Sequence, residues 1–312
     1  MAPLLTVILG PTAVGKTELT LSIAERLGCP VINCDSRQIF RNMKIGTAAP
    51  DAAQLARVRH YFVGQLGLDE YYSAARYEQD VLQLTSRLFL SNDVLIMSGG
   101  GMMYIDAVCN GIDDIPTIAP HIRERLKSRL ETEGAESLLA ELQIVDPEHY
   151  ARVDSRNTKR VIHALEVFYT TGKPYSSFLT RNGLRTIGST GSRVERPFRI
   201  LKIGLSRPRE ELFARINARV DAMVNAGLLK ETMDLMPYRD CNALNTVGYK
   251  EMFNVLDGTW ELPMAIERIK KNTRVYAKKQ MTWFRHDSDI TWFHPDDEKE
   301  IMDFILRHTG RT

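Results

Sequence analysis

The 312 residues of this chain suffice for one large domain or two modest ones, and an apolar fraction of 44% is ordinary for a globular protein. Its four cysteines show neither a C-x-x-C pair nor metal-ligand spacing, which argues against a disulfide framework or a zinc site and favours a reducing, cytoplasmic location. No apolar run approaches membrane-spanning length and the first residues are already strand-like, so we expect no membrane partner and no signal peptide.

The first predicted element is a strand, loop and helix. An apolar run over 4–9 precedes a loop that fits the phosphate-binding pattern G-x-x-x-x-G-K-[ST], and apolar residues at four-residue spacing then predict a helix. Glycines let backbone N–H groups turn toward phosphate oxygens, and the helix N-terminus adds partial positive charge. We expect Lys16 to reach the outer phosphate and the Thr17 hydroxyl to ligate Mg²⁺. This phosphate loop consists of Gly10, Pro11, Thr12, Ala13, Val14, Gly15, Lys16 and Thr17.

Two later strands differ in the residues at their carboxyl ends. A nucleotide triphosphatase needs a carboxylate for Mg²⁺ after a second strand, yet the run 94–97 ends in Ser98 and three glycines. The run 31–34 instead ends in Asp35, at the sheet edge where ligands bind. This pattern favours a diphosphate that leaves, with Asp35 serving the incoming nucleophile. The alternative, that Asp35 caps the next helix, fits the sequence equally well.

Turn residues after Gly111 interrupt the alternation of strands and helices and indicate an insertion. Gly172 is a helix stop signal, and Gly, Ser and Arg residues over 182–196 predict a flexible return to a strand at 198–205. Helical patterns cover 121–133, about 135–145 and about 158–171.

These elements predict an α/β fold, a P-loop NTPase-like parallel sheet flanked by helices, with an inserted small all-helical domain. The first part of the core covers 1–112, the insertion covers 113–194, and the second part of the core covers 195–312.

Basic charge is concentrated over 194–286, which hold 17 basic and 11 acidic side chains. Within 268–285 there are seven Lys or Arg and no Asp or Glu, and helical spacing aligns Lys270, Arg274 and Lys278 on one face. Such a run lacks the pairing that a solvated helix usually carries, so it favours a nucleic-acid partner. A solvated helix face is the alternative.

Arg215 and Arg219 lie on one face of a helix predicted over 208–226. Both guanidinium groups could approach an anion, since bidentate Arg suits a diphosphate. Pairing with Asp221 or a nearby Glu is the alternative. Further on, Asn245 or Thr246 could cap another helix.

Beside the phosphate loop, the chain carries a series of short motifs in a definite order: Asp35 to Gln38 with Arg41, Gly46 to Ala48 with Pro50, Tyr72 to Tyr77, Gly99 and Gly100 with Tyr104, Ala164 to Val167, Val247 to Tyr249, and Lys279 to Trp283. With these motifs, the chain resembles the tRNA dimethylallyltransferases over most of its length. The resemblance implies that the phosphate loop, Mg²⁺ and Arg219 hold dimethylallyl diphosphate rather than ATP. It also implies that the dimethylallyl group passes to N6 of the adenine at position 37, beside the anticodon of certain tRNAs. Lys16, Thr17, Asp35 and Arg219 would be the catalytic residues, with Asp35 as general base.

The resemblance further implies residues that bind the tRNA anticodon stem-loop, and a protein that acts as a cytoplasmic monomer. In the core these are Asp35, Ser36, Arg37, Gln38, Gly101, Asn245, Thr246, Val247, Gly248, Tyr249, Lys250, Lys278, Lys279, Gln280, Met281, Thr282, Trp283, Phe284 and Arg285. In the insertion they are Arg123, Lys159, Arg160, Val161, Ile162 and His163.

Gly101 departs from the family pattern, which commonly has Thr after the glycine pair. A hydroxyl there could hydrogen-bond the acceptor amine or Asp35, and if the site lacks that bond, Gly101→Thr should raise kcat. The alternatives are that the backbone N–H of Gly101 suffices, or that glycine is needed here for its conformation.

Three other functions share parts of this pattern. A small-molecule or nucleoside kinase would turn over ATP and would need a metal carboxylate that the sequence does not offer. An RNA-binding P-loop protein without prenyl transfer would leave Asp35 without a role. An adenylate isopentenyltransferase would use free adenine nucleotide, whereas the helical insertion and the basic run favour tRNA.

Overall fold

One parallel sheet of six strands organises the described part of the chain. A computed structural model describes residues 2–113, 115–116, 118–179 and 195–309. The strands are β1 (Leu4–Leu9), β2 (Val31–Asn33), β3 (His60–Tyr61), β4 (Val94–Gly99), β5 (Arg199–Leu205) and β6 (Ile290–Phe293). Their order is β3-β2-β4-β1-β5-β6, so β1 lies in the interior of the sheet and delivers the phosphate loop there.

Helices follow most strands, as parallel connections require. No helix among the described residues combines the length and apolarity that a membrane span needs. The helices are α1 (Lys16–Leu27), α2 (Ala52–Arg57), α3 (Ala74–Leu88), α4 (Met102–Asn110), α5 (Pro120–Val145), α6 (Pro147–Tyr150), α7 (Thr158–Thr171), α8 (Arg209–Asn225), α9 (Leu228–Asp234), α10 (Tyr249–Leu256), α11 (Leu262–Arg285) and α12 (Glu298–Thr309).

The chain divides into two units, 1–109 with 194–312 and 110–193. The sheet lies in the first, and the described part of the second contains helices without strands. The three predicted helical patterns are confirmed. A break at Gly134 (φ 80°) separates the first two within α5, and Gly172 (φ 70°) ends α7. Of the predicted return, 182–194 lie outside the described residues.

The core of the first unit covers both faces of the sheet. Side chains alternate along β1, so Leu5, Val7 and Leu9 pack in one apolar cluster while Leu4 and Ile8 pack in another. A strand buried on both faces is typical of parallel sheets. This packing fixes the carboxyl end of β1, from which the phosphate loop starts.

Candidate active site

A cavity of about 1160 Å³ opens at the carboxyl ends of β1, β2 and β4. It brings together the phosphate loop, Asp35 after β2 and the glycines after β4. Helices α8 and α11 close other sides. The charged or polar residues that line it include Lys16, Thr17, Asp35, Gln38, Arg207, Arg215, Arg219, Tyr276 and Gln280.

The phosphate loop has the backbone shape that anion binding needs. Ala13 (φ 64°) and Gly15 (φ 113°) adopt left-handed conformations, and α1 begins directly after Gly15. Lys16 Nζ folds back and donates to the carbonyl oxygens of Gly10 and Pro11, at 2.9 and 2.8 Å. The first amides of α1 have no acceptor within the helix, so they remain available to an anion.

Two arginines hold the outer carbonyls of the same loop. Arg215 Nε donates to the Ala13 oxygen at 3.0 Å, and Arg207 Nε donates to the Val14 oxygen at 2.8 Å. Guanidinium groups thus neutralise carbonyl oxygens that would otherwise repel a phosphate. Arg207 also pairs with Asp296 at 2.6 Å, which anchors it.

Burial, reinforced by the nearby Arg219 guanidinium, lowers the pKa of Lys16 to about 8, while Asp35 opposes the shift. The lysine therefore keeps its charge at neutral pH but loses it above about pH 8. A bound anion favours the ammonium form, so binding above that pH must take up a proton.

We expect the affinity for inorganic pyrophosphate to fall above pH 8, approaching a tenfold loss per pH unit from this one proton. Isothermal titration calorimetry at pH 7, 8 and 9 measures this loss of pyrophosphate affinity. Lys16→Arg is the matched control, because its guanidinium stays charged throughout and leaves only the ionisation of pyrophosphate itself. Equal pH dependence in the two proteins would show that Lys16 does not titrate in this range.

Asp35 lies partly exposed in the cavity wall. Its Oδ1 accepts hydrogen bonds from the backbone amides of Arg37 and Gln38, at 2.8 and 3.3 Å. The residues after Asp35 form a turn and not a helix. The alternative that Asp35 caps a helix is therefore wrong, because its side chain instead closes a turn. Oδ2 accepts no hydrogen bond from the described residues, and this oxygen is free to meet a substrate.

Arg219 reaches into the cavity from α8. Its Nη2 donates to the Thr47 oxygen at 3.3 Å, and Gln38 Nε2 donates to the same oxygen at 3.1 Å. Burial lowers the pKa of Arg219, and Asp35 opposes that shift. The alternative pairing with Asp221 is wrong, since Asp221 instead pairs with Lys270 at 2.8 Å.

Sequence reasoning missed Arg207 and Tyr276 as cavity residues. Arg207 follows the carboxyl end of β5 by two positions, so the rule that identified Asp35 could also have identified it. Tyr276 lies within the basic run 268–285, where helical spacing alone does not distinguish a cavity residue from a surface residue. Partial desolvation, with a smaller contribution from the Asp35 carboxylate in the same cavity, raises the pKa of Tyr276 to about 12.

Gly101 contradicts the expectation that a hydroxyl residue would improve this site. Its N–H donates to the Cys34 oxygen at 3.1 Å, and a Cβ at position 101 would overlap that same backbone oxygen. The φ of Gly101 is not in the left-handed region, so close approach is the reason for glycine here. Threonine does not fit without moving Cys34 and the adjoining Asp35.

The predicted tRNA segment at the end of α11 has two kinds of position. Lys278, Lys279, Thr282 and Arg285 are exposed, and Met281 and Trp283 are partly buried. Trp283 Nε1 donates to Asp106 at 3.0 Å. Gln280 and Phe284 are each only 2% exposed, so their side chains face the interior and not a partner.

Two of the three cations on the predicted basic face, Lys270 and Arg274, have partners within the protein, whereas Lys278 is exposed. Lys270 pairs with Asp221 at 2.8 Å and with Glu267 at 3.1 Å. Arg274 donates to Asn217 at 2.6 Å. The acid-free run is thus partly neutralised by α8, a neighbour that spacing within one helix does not show. The cations of α11 whose side chains form neither an ion pair nor a hydrogen bond with a described residue, which we call the basic stripe, are Arg268, Lys271, Lys278, Lys279 and Arg285.

The segment 245–250 surrounds the start of α10. The residue before the helix is Gly248 (φ 100°), whose N–H donates to Glu251 Oε2 at 2.8 Å, so Asn245 and Thr246 do not cap it. Tyr249 is fully buried and donates to Glu231 at 2.7 Å. Asn245 and Lys250 are exposed, while Thr246 and Val247 are partly buried. Ser36 and Arg37 are also partly buried, in the turn after Asp35.

In the helical unit, two of the predicted tRNA residues contact one buried carboxylate. Arg123 Nε lies 2.9 Å from Glu166, and His163 Nδ1 lies 3.3 Å from the same group. These contacts, with burial opposing them, leave the pKa of Glu166 lowered. Val161 is core and Ile162 is partly buried. Lys159 and Arg160 are exposed and remain the cations of α7 that could meet a partner.

Comparison with known proteins places this arrangement in a family. The sequence model of the family described as IPP transferase matches residues 38–287. The tRNA dimethylallyltransferase 1 of Phocaeicola vulgatus is 56% identical over 305 residues, which are 98% of this chain and 98% of that protein.

Two solved structures are also similar. The full-length tRNA isopentenylpyrophosphate transferase from Bacillus halodurans shares 33% identity with a TM-score of 0.69, over 99% of this chain and 97% of that one. A eukaryotic dimethylallyltransferase acting on tRNA shares the fold, with a TM-score of 0.80 at 23% identity, over 99% and 80% of the two chains. With this identity to relatives over nearly its full length, the chain belongs to the tRNA dimethylallyltransferase family.

Proposed function

We propose that this protein transfers a dimethylallyl group from dimethylallyl diphosphate to N6 of the adenine at position 37 of certain tRNAs and releases diphosphate. One observation carries the proposal. A carboxylate with a free oxygen, Asp35, lies in the same cavity as the phosphate loop and Arg219. In a kinase, a strand in the position of β4 would end in a carboxylate that binds the metal. Here β4 ends in Ser98 and Gly99, which argues against ATP as the substrate.

The diphosphate is proposed to bind at the start of α1. Lys16 Nζ, the free amides of the first turn and Arg219 supply positive charge there. Negative charge grows on the diphosphate as the allylic C–O bond breaks, so groups fixed around it stabilise the transition state more than the ground state. The Lys16 and Arg215 contacts hold the loop carbonyls in place before substrate arrives.

Asp35 is proposed to be the general base. The exocyclic amine of adenine is a poor nucleophile because its lone pair is delocalised into the ring. The backbone amides of Arg37 and Gln38 fix Oδ1, which orients the free Oδ2 to accept an amine proton as the C–N bond forms. The adenine must leave its stack in the anticodon loop to reach this cavity, at a cost of a few kcal/mol.

Magnesium is proposed as the cofactor, with Thr17 as its protein ligand. Thr17 is exposed in the cavity at the first turn of α1, and its hydroxyl makes no hydrogen bond with a described residue. No cluster of three or more His, Cys, Asp or Glu that could hold a metal occurs among the described residues. A hydroxyl beside substrate phosphates fits Mg²⁺, which is commonly bound through phosphates and water. Bound there, it would neutralise diphosphate charge.

The tRNA is proposed to lie against the basic stripe of α11, whose cations form no ion pair with a described residue. Exposed cations without an acidic partner suit a phosphate backbone, and the exposed Lys159 and Arg160 of α7 offer similar charge in the helical unit. We also propose that the enzyme acts as a monomer. The tRNA substrate and the unpaired cysteines suit the cytoplasm.

The basic stripe gives a prediction about salt. Changing Lys271, Lys279 and Arg285 together to Gln is expected to weaken tRNA binding and to reduce the log–log salt slope by up to about 0.9 per lost phosphate contact. Filter binding across a salt series measures the slope. Lys270→Gln is the matched control, because its charge is already paired with Asp221 and Glu267. An unchanged slope in the triple variant would mean that the RNA surface lies elsewhere.

Labelled dimethylallyl diphosphate tests the function directly. The protein and the labelled diphosphate are incubated in separate reactions with unmodified tRNA, with AMP and with ATP as the acceptor. Label in tRNA alone is the expected result, and mapping should place it on the adenine beside the anticodon. Label in AMP or ATP would support the adenylate isopentenyltransferase, and ATP turnover without label transfer would support the kinase.

A further inference from the structure

Gln280 links two loops of the active site from within the protein. Its Oε1 accepts the Thr12 N–H at 2.9 Å, and its Nε2 donates to the Gly100 oxygen at 2.8 Å. The side chain is 2% exposed, although its neighbour Lys279 is exposed. One partner can only donate and the other can only accept, so the orientation of the amide is unambiguous.

The two hydrogen-bond partners of Gln280 lie in the loops that follow two adjacent strands. Thr12 lies in the phosphate loop that follows β1, Gly100 lies in the turn that follows β4, and β1 pairs with β4 throughout. A Cβ at position 100 would overlap Gln280 Nε2, so glycine at 100 and glutamine at 280 fit each other. Loss of the amide would leave the Thr12 N–H and the Gly100 carbonyl without these partners, which is costly away from water.

We propose that Gln280 is a positioning residue for the diphosphate site, one that sets the shape of the phosphate loop from α11 and does not touch RNA. The inference rests on the proposed function, in which this loop binds diphosphate. Because Thr12 N–H points to Gln280, this amide braces the loop and is not one of the groups that meet phosphate. The first-turn amides of α1 and Lys16 then meet the anion in a loop already shaped for it.

Binding of two separate probes tests the proposal. Gln280→Met keeps the length of the side chain and removes both hydrogen bonds. We expect it to raise the Kd for inorganic pyrophosphate with Mg²⁺ by about tenfold, the effect of one hydrogen bond to a buried group. We expect its Kd for transcribed tRNA to stay within about twofold, and the KM for dimethylallyl diphosphate to rise more than kcat falls.

Lys279→Gln is the matched control, one residue away and exposed. It is expected to weaken tRNA binding and to leave the pyrophosphate Kd unchanged. Gly100→Ala places a Cβ against Gln280 Nε2 and so disturbs the same hydrogen bond from its acceptor side. It should reproduce the weaker pyrophosphate binding, which keeps the test valid if Gln280→Met does not fold. Weaker tRNA binding with unchanged pyrophosphate binding in Gln280→Met would overturn the proposal. A parent protein that binds pyrophosphate but prenylates no acceptor would instead refute the proposed function.

Discussion

Asp35→Asn is expected to lower kcat by roughly 10²–10⁴-fold while the protein keeps its fold and its tRNA affinity. Asparagine retains an oxygen for the amides of Arg37 and Gln38, so the turn after β2 survives. It cannot take a proton from the adenine amine, and this loss falls on the chemical step. Single-turnover kinetics with saturating tRNA and dimethylallyl diphosphate measure that step directly.

Pyrophosphate binding separates the charge of Asp35 from its chemistry. The Asp35 carboxylate favours the charged forms of Lys16 and Arg219. The same negative charge repels the bound pyrophosphate. We therefore expect Asp35→Asn to bind pyrophosphate at least as well as the parent while it turns over far more slowly. Asp35→Ala, which also loses the turn contacts, is the comparison for a purely structural effect. Parental kcat in Asp35→Asn would end the general-base assignment.

The parts of this site that lie close together in the chain were predictable from the sequence. The phosphate loop follows from a glycine pattern between an apolar strand and a helix. Asp35 follows from the rule that ligands bind at the carboxyl ends of parallel strands. Both depend on short-range spacing, which fixes local backbone direction before any tertiary contact is known. The helical patterns over 121–133, 135–145 and 158–171 were predictable for the same reason.

Contacts between distant elements were not predictable. Lys270 occurs in an acid-free run, yet Asp221 on α8 pairs with it. Gln280 occurs between exposed cations, yet helical rotation turns its amide inward to the phosphate loop. The resemblance to tRNA-binding segments treated neighbouring residues alike, because a motif is a linear string while exposure on a helix changes at every position. Side-chain partners across the fold decide which members of a motif can meet RNA.

The same limitation explains why the hypothesis about Gly101 was wrong. A threonine common to relatives suggests that adding a hydroxyl would help. In this chain a Cβ at position 101 meets the Cys34 carbonyl, directly before Asp35. Excess volume in a packed region costs about 1–3 kcal/mol, and its relief must move backbone here, because the obstructing atom is not a flexible side chain.

Gly101→Thr is therefore expected to slow the enzyme. A displacement of Asp35 by about 1 Å can cost about 10²-fold in rate, so we expect a loss of that order in kcat together with a lower Tm. Gly101→Ala adds the obstructing Cβ without a hydroxyl and should account for most of the loss. If the Cβ is the cause, Ala, Ser and Thr will all be slow and all destabilised, in order of increasing volume. If a hydroxyl is what the site lacks, Thr and Ser will be faster than Ala, and a threonine variant faster than the parent would overturn the steric account.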